Sequence, residues 1–138
     1  VPDLIKAKDI MNENPITANA NDTLKACIDK MRVNKVDSIF IVDENNRLEG
    51  LITIRTLQNV KSSNVLAKDV MNKSLFTVYE NYSILNLLQL VNDNDLSAIP
   101  IVDRQRRLKG LITPSTLVSS LSEQYLDNDE AGDKNELS

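Results

Sequence analysis

Side chains that could catalyse a reaction are scarce in this sequence. There is no histidine, and Cys27 is the only cysteine. Cys27 lies on the apolar face of a predicted helix, where no base can activate its thiol, so we expect it to pack in the core. The carboxylates form no coherent pair, and no metal-ligand cluster is evident. An enzyme is therefore the least favoured class, and no cofactor is required.

Threonine and arginine side chains near two predicted helix starts suggest a different chemistry, which is anion binding. Thr53 and Thr113 precede these helices, where free backbone N–H groups and the positive helix end favour phosphate. Arg55 adds a charge to the first start only, unless it is a solvated surface residue. Pro114 removes one N–H donor from the second start. Helix capping by the two threonines is an equally open interpretation.

These positions correspond because the chain contains an internal repeat, with a spacing of about 60 residues. Residues 7–12 (Ala-Lys-Asp-Ile-Met-Asn) recur almost unchanged as residues 67–72. The same register relates three further pairs of segments, which are 41–43 and 101–103, 47–53 and 107–113, and 56–57 and 116–117. Chance would not preserve one register across all four pairs.

Each repeat is predicted to run strand, helix, strand, strand, helix. A short extended segment opens each repeat, at residues 16–18 and 76–78. Apolar residues at helical spacing follow it, namely Leu24, Cys27, Ile28 and Met31, and then Ile84, Leu87, Leu88 and Val91. Asp22 or Thr23 caps the first of these helices, and Ser83 precedes the second. Two apolar runs around a polar turn then predict a hairpin, at 38–54 and 98–113. The last helices begin near Thr56 and Thr116.

Neither repeat can bury both faces of its small sheet alone, so the halves are expected to pack sheet to sheet. The predicted class is α/β (α+β), with two β-α-β-β-α repeats related by pseudo-twofold symmetry. The predicted core contains Leu24, Ile28, Met31, Ile39, Ile41, Leu51, Leu57 and their counterparts. Gly50 and Gly110 share one strand position, which indicates close approach by either the partner repeat or a ligand.

Charge and composition restrict the partners. The net charge is −4 and no long Lys/Arg run occurs, so nucleic acid is a poor candidate. No apolar stretch reaches the roughly 20 residues of a membrane helix, and no signal peptide is evident, so direct membrane insertion is not expected. The predicted domains are repeat one at 6–60, repeat two at 66–121 and an acidic, disordered tail at 122–138. The tail is either solubilising or an electrostatic regulator.

The repeated motifs resemble those of the cystathionine-β-synthase-type (CBS) repeat. They are Asp-(Ile/Val)-Met, an apolar strand ending in Val-Asp, and Leu-x-Gly-Leu-Ile-Thr, and together they span residues 6–121. The resemblance implies a regulatory pair of repeats with two clefts for adenosine compounds. Such a pair often forms flat homodimers, and it usually adjusts the activity of a fused enzyme, channel or transporter.

A finer resemblance rests on residues 37–43 and the acidic tail, which are similar to the C-terminal part of ATPase subunits of ABC importers for glycine betaine, carnitine or choline. No Walker-type phosphate loop is present, so the ATPase domain would lie upstream. This resemblance implies transporter membrane subunits as partners and a cytoplasmic location at the inner face of the membrane. It also implies osmotic control through ionic strength or cyclic di-AMP.

The family's clefts combine strands of one repeat with the loop after the third strand of the other. Transferred to this sequence, cleft one contains Ile16, Thr17, Val36 and Ser38 together with Leu111, Thr113, Pro114 and Thr116. Cleft two contains Phe76, Thr77, Leu96 and Ala98 together with Leu51, Thr53, Arg55 and Thr56. Apolar side chains would enclose an adenine ring, and strand backbone groups would contact its edge.

The clefts depart from the family pattern at one position. Members that bind a ribose often carry Asp where this chain has Thr56 and Thr116. A cyclic dinucleotide needs this carboxylate less, because its ribose 3′ oxygens are esterified. The sequence therefore favours cyclic di-AMP over AMP or ATP, although another adenine nucleotide is possible. The alternatives are an ionic-strength sensor and a structural dimerisation module that binds no nucleotide.

Overall fold

The computed structural model describes residues 5–62 and 64–123. The helices are α1 (Ala7–Ile10), α2 (Leu24–Asn34), α3 (Ile54–Leu57), α4 (Ala67–Val70), α5 (Ile84–Asn94) and α6 (Pro114–Leu121). The strands are β1 (Thr17–Ala18), β2 (Ser38–Val42), β3 (Leu48–Thr53), β4 (Ile99–Val102) and β5 (Leu108–Ile112). This order contains the predicted repeat together with two short helices, α1 and α4, that the sequence patterns did not predict.

The two sheets differ in size, although both repeats were predicted to open with a strand. The first sheet has the order β1-β2-β3, in which β1 is parallel and β3 antiparallel to β2. The second contains only β4 and β5 among the described residues, and the predicted opening strand is reduced to a bridge between Val78 and Ile101. In repeat one, the Phe40 N–H donates to Ile16 O at 3.1 Å. Its counterpart is Pro100, which has no N–H to donate.

Threonine and serine side chains fix where the helices begin. The Thr23 hydroxyl accepts from Ala26 N at 3.1 Å, so Thr23 rather than Asp22 caps α2. Ser83 caps α5 in the same way, through Leu85 N at 3.2 Å. The last helices begin at Ile54 and Pro114, two residues before Thr56 and Thr116 and directly after Thr53 and Thr113, which were predicted to precede them and are their N-caps.

The core consists of two outer clusters and one central cluster. The outer clusters lie one in each repeat, and they contain Leu24, Met31, Ile39 and Ile41 in repeat one and the matching apolar residues in repeat two. Ile28 and Leu57 were predicted in the core but are only partly buried at its edge. Leu51 belongs to the central cluster, which joins the hairpins of both repeats through Phe40, Val42, Leu48, Ala98, Val102 and Leu108.

Helices α1 and α4 each pack on the other repeat. Ala7 is fully buried in the repeat-two cluster, and its N–H donates to Tyr82 O at 2.8 Å. Ala67 is buried in the repeat-one cluster in the same way, and its N–H donates to Asp22 O at 2.8 Å. The sequence repeat is therefore not the structural unit, because each half is completed by the opening helix of the other.

This exchange explains the two glycines. A methyl group at Gly50 would lie 2.5 Å from Met71 Sδ, and one at Gly110 would lie 2.6 Å from Met11 Sδ. Each methionine follows the exchanged helix of the other repeat. Of the two explanations left open by the sequence, close approach by the partner repeat is the one observed.

The two hairpin turns join reciprocally. Leu48 N donates to Arg106 O and Leu108 N donates to Asn46 O, both at 2.9 Å. Asn46 and Arg106 have φ values of 65° and 66°. This left-handed backbone conformation lets each short hairpin loop turn back into its second strand. The Arg106 side chain also donates from Nε to Leu48 O at 3.0 Å. Arg106, although it lies in a turn, therefore helps to hold the two repeats together.

Candidate ligand cleft

The structure places a cavity of about 440 Å³ at predicted cleft two, between the repeats. Seven of the eight residues predicted for this cleft line it, namely Leu51, Thr53, Arg55, Thr56, Phe76, Leu96 and Ala98. Thr77 is not among the lining residues. The volume lies within the range of small-molecule sites, which is roughly 300–1,000 Å³.

Phe76 has no backbone hydrogen bond to residue 100, because Pro100 cannot donate one. Its side chain is 44% exposed, and it lines the cavity together with Pro100. Pro100, which cannot support an opening strand in repeat two, thus also helps to form the wall of the cleft.

One ion pair crosses the mouth of the cleft. Arg55 Nη2 of α3 lies 3.6 Å from Asp95 Oδ2, which follows α5 in the other repeat. The side chains are 77% and 93% exposed, so solvent and salt screen their attraction. A phosphate could replace Asp95 as the partner of Arg55 at little cost.

A second cavity of about 250 Å³ shares Thr53, Arg55 and Ser97 with the first. Asp37, Ile54 and Gln58 complete its lining. Arg55 therefore stands between two adjoining cavities and is the shared cation.

The helix-start threonines act as caps. Thr53 Oγ1 accepts from Thr56 N at 3.4 Å, and Thr113 Oγ1 accepts from Thr116 N at 3.2 Å. Thr56 returns the first interaction by accepting from Thr53 N at 3.2 Å. The capping interpretation is thus observed for both threonines. Capping occupies one backbone N–H at each helix start. Arg55 remains the positively charged side chain at this end of cleft two.

Predicted cleft one is arranged differently. The backbone pairing is the same, because hydrogen bonds of 2.9 and 3.0 Å join Asn12 to Leu111 as they join Asn72 to Leu51 in cleft two, so the difference lies in the side chains. Ser38 is buried, whereas Val36 is 36% exposed. Ile16, Thr17, Pro114 and Thr116 are partly buried. These residues do not surround the 440 Å³ cavity, and the position matching Pro100 is filled by the buried Phe40.

Sequence reasoning missed several residues that line cleft two: Asn59, Asn72, Ser74, Leu75, Asn94, Asp95, Ser97 and Pro100. Asn72 had a detectable signal, since it ends the repeated motif 67–72 and its backbone pairs with Leu51. Asp95 had none, because its position depends on how the end of α5 meets α3 of the other repeat.

Cys27, the one cysteine in the sequence, is buried in the repeat-one core. Burial raises the pKa of the Cys27 thiol, so the fully buried side chain stays protonated and inert. Within residues 5–62 and 64–123, no three His, Cys, Asp or Glu side chains cluster as metal ligands. No helix in the same ranges is long and apolar enough to cross a membrane.

A model of the CBS domain matches residues 7–62 and 67–123, which is most of the chain. The protein belongs to the CBS domain family. The two matched segments correspond to the two sequence repeats, and CBS pairs are regulatory modules rather than catalytic ones.

Comparisons with known CBS proteins extend this assignment. The carnitine transport ATP-binding protein OpuCA of Listeria monocytogenes is 32% identical over 117 residues, which are 85% of this chain but 30% of that protein. The chain thus spans less than a third of this relative. The structure of Staphylococcus aureus OpuCA matches with a TM-score of 0.72 at 31% identity, covering 83% of this chain and 97% of that one. The chain is therefore homologous to the CBS region of osmoprotectant transport subunits.

A third comparison supports the fold. The CBS domain pair of protein MJ0100, solved in complex with 5′-methylthioadenosine and S-adenosyl-L-methionine, matches with a TM-score of 0.79 at 23% identity. It covers 87% of this chain and 98% of that chain. The predicted class of two packed α/β repeats is confirmed by this likeness.

Proposed function

We propose that this chain is the ligand-sensing module of an ATP-binding subunit in an osmoprotectant ABC importer, and that it binds an adenine nucleotide, foremost cyclic di-AMP, in cleft two. The upstream ATPase domain and the transporter's membrane subunits would be its partners, at the cytoplasmic face of the membrane. A second copy of the chain would pair with it through the CBS repeats. The similarity to the OpuCA proteins supports this context.

The observation that carries the proposal is the position of Arg55 between two adjoining cavities. A dinucleotide has two bases joined by two phosphates, which matches two cavities that share one cation. Phe76 and Leu96 provide apolar surface for a base. Thr56 is engaged with Thr53 and offers no carboxylate to a ribose, which disfavours mononucleotides.

Binding would regulate transport only if the ligand prefers one arrangement of the repeats. A phosphate on Arg55 would compete with the Arg55–Asp95 pair, which links α3 to the end of α5. We infer that ligand binding changes the spacing between these two elements and that the attached ATPase responds to this change.

Calorimetry should test this proposal with cyclic di-AMP, AMP and ATP, at low and high salt. We expect cyclic di-AMP to bind most tightly and Arg55→Gln to weaken it by roughly ten- to a hundredfold, the value of a charge-assisted hydrogen bond. Arg47→Gln, which removes an exposed arginine outside the cleft, is the matched control. Absence of binding by all three nucleotides at millimolar concentration would overturn the proposal.

A second pair of variants tests the missing carboxylate. Thr56→Asp should improve AMP binding relative to cyclic di-AMP, because its carboxylate can accept hydrogen bonds from ribose hydroxyls. Thr116→Asp makes the same change in cleft one and should leave binding in cleft two unaltered. An equal gain from both substitutions would contradict the assignment to cleft two.

An ionic-strength sensor is the second candidate, and the exposed Arg55–Asp95 pair favours it. Salt weakens such a pair, because the Debye length falls to about 8 Å at physiological ionic strength. The acidic residues first proposed for this role, Asp127, Asp129, Glu130, Asp133 and Glu136, lie outside the described residues. Removing residues 127–138 should shift the salt dependence of transport if the tail contributes, and unchanged dependence would exclude it.

A further inference from the structure

Two of the three methionines occupy the same position in the two repeats and make the same contact. Met11 directly follows α1 and Met71 directly follows α4, which are the two exchanged helices. Their sulfur atoms lie against Gly110 and Gly50, where a methyl group would be only 2.6 and 2.5 Å away. Both methionines are partly exposed, so water and small solutes can approach them.

Each glycine leaves room for a methionine sulfur and for little else. A methyl group does not fit between the strand and Sδ, and an oxygen atom bound to Sδ would also need space of its own. Oxidation to the sulfoxide replaces a flexible apolar side chain by a polar, chiral one. The modified side chain would therefore have to leave its place on the strand or weaken the packing between the repeats at that point.

The contact between Met71 and Gly50 lies directly beside cleft two. The next residue after each partner of this contact lines the cavity, namely Asn72 and Leu51. Hydrogen bonds of 2.9 and 3.0 Å join the backbones of these two lining residues. A Met71 side chain that left its glycine would therefore disturb the backbone that forms one wall of cleft two.

The other sulfur atoms of the chain are shielded from an oxidant. Met31 is 5% exposed, and Cys27 is fully buried in the repeat-one core. The oxidation of sulfur in proteins follows its exposure and, for cysteine, its thiolate character. Burial raises the pKa of the Cys27 thiol, so neither residue competes with Met11 and Met71 for the oxidant.

We propose that Met11 and Met71 are oxidation sites for peroxide, that their oxidation loosens the joint between the repeats, and that Met71 links this change to cleft two. The thioether sulfur attacks one oxygen of hydrogen peroxide, so an S–O bond forms and the O–O bond breaks. The proton of the transferred oxygen passes to the departing hydroxide, which leaves as water. The methionine is thereby oxidised to its sulfoxide and the peroxide is reduced. Two methionine sulfoxide reductases, one for each sulfoxide epimer, can reverse the step. The effect on ligand binding rests on the proposed function, whereas the oxidation and the loss of stability do not.

Treatment of the 138-residue chain with hydrogen peroxide, followed by mass spectrometry of its peptides, tests the two sites. We expect Met11 and Met71 to gain one oxygen atom each and Met31 to react roughly tenfold more slowly, because reaction follows exposure. Urea denaturation should then show a lower midpoint, which the two reductases restore. Oxidation of Met31 at the same rate, or an unchanged midpoint after complete oxidation of Met11 and Met71, would overturn the inference.

Two matched variants separate the methionines. Met11→Leu leaves Met71 as the partly exposed sulfur, and Met71→Leu leaves Met11, while leucine keeps a similar apolar volume without a sulfur atom. After peroxide treatment, cyclic di-AMP should bind severalfold more weakly to the Met11→Leu chain and with unchanged affinity to the Met71→Leu chain. An equal loss in both chains would contradict the link between Met71 and cleft two. If the untreated chains bind no nucleotide, the proposed function fails, while a lower urea midpoint in both oxidised variants still supports the oxidation sites.

Discussion

Clefts one and two are built by equivalent elements of the same repeat, yet they differ at a few decisive positions. Phe40 in repeat one is buried between the sheets, and its N–H holds the chain at Ile16. Pro100 in repeat two lacks that N–H, and it lines a cavity beside Phe76. One substitution therefore changes both the strand pairing and the space available to a ligand.

The charges around the clefts diverge in the same way. Arg55 and Asp95 pair across cleft two, whereas Ser115 and Lys35 occupy the matching positions around cleft one. The comparison teaches that a duplicated fold can keep its core in both halves while its surface positions differ between them. The core positions of both repeats require apolar side chains of suitable size and spacing, whereas the surface positions accept many different side chains.

The largest difference between the repeats should appear on substitution of the shared glycine. Gly110→Ala places a methyl group 2.9 Å from the backbone oxygen of Asn12, whereas the three nearest atoms at Gly50→Ala all belong to the side chain of Met71. Overpacking of this kind costs about 1–3 kcal/mol. We expect Gly110→Ala to lie at the upper end of this range and Gly50→Ala at the lower end, as measured by urea denaturation.

Second-site substitution makes this test sharper. Met71→Ala should relieve most of the effect of Gly50→Ala, because the methionine side chain supplies the three nearest contacts there. Met11→Ala should relieve only part of the effect of Gly110→Ala, since Asn12 O remains in place. If both double variants recovered the same share of the lost unfolding free energy, the contact with the Asn12 backbone would not contribute to the difference.

A smaller effect should follow from restoring the missing donor in repeat two. Pro100→Ala supplies an N–H that can donate to Phe76 O, as Phe40 donates to Ile16. We expect the new amide at position 100 to be protected in hydrogen exchange and cyclic di-AMP binding to weaken severalfold as Phe76 is drawn to the sheet. Full exchange at residue 100 would show that Pro100 is not what limits the strand.

The smallest effect is a loss of fold stability in acid that originates in the two hairpin turns, where the two repeats behave alike. Hydrogen bonds from the Arg47 backbone and side chain lower the pKa of Asp43. At Asp103 burial acts to raise the pKa, but hydrogen bonds from Arg107 and Gln105 outweigh it, so this pKa is also lowered. Each carboxylate therefore stabilises the fold above its unfolded pKa of about 3.9, and this contribution is lost as the pH falls through the lower folded value.

Melting curves between pH 6 and pH 2 would measure this loss. The double variant Asp43→Asn with Asp103→Asn should melt lower at pH 6 and should show a flatter decline in acid than the wild type. Glu44→Gln, an exposed neighbour in the same turn, serves as the control. An unchanged acid slope in the double variant would contradict a role for the two turns.

The sequence by itself determined the repeat, the hairpins, the long helices and most of the core, because apolar periodicity and one preserved register encode these features locally. It also identified seven residues that line cleft two, through motif positions that the family fixes. The exchange of α1 and α4 could not be predicted in this way, since a four-residue helix carries too little periodicity to reveal which half it covers.

Only the tertiary structure decided which residues from distant parts of the chain meet. It placed Asp95 beside Arg55, joined Arg106 to Leu48 and brought each methionine against the glycine of the other repeat. It also showed that Thr53 and Thr113 serve as caps, a choice that the sequence left open. These outcomes depend on how two packed halves are oriented, and that orientation follows from the whole central cluster rather than from any single segment.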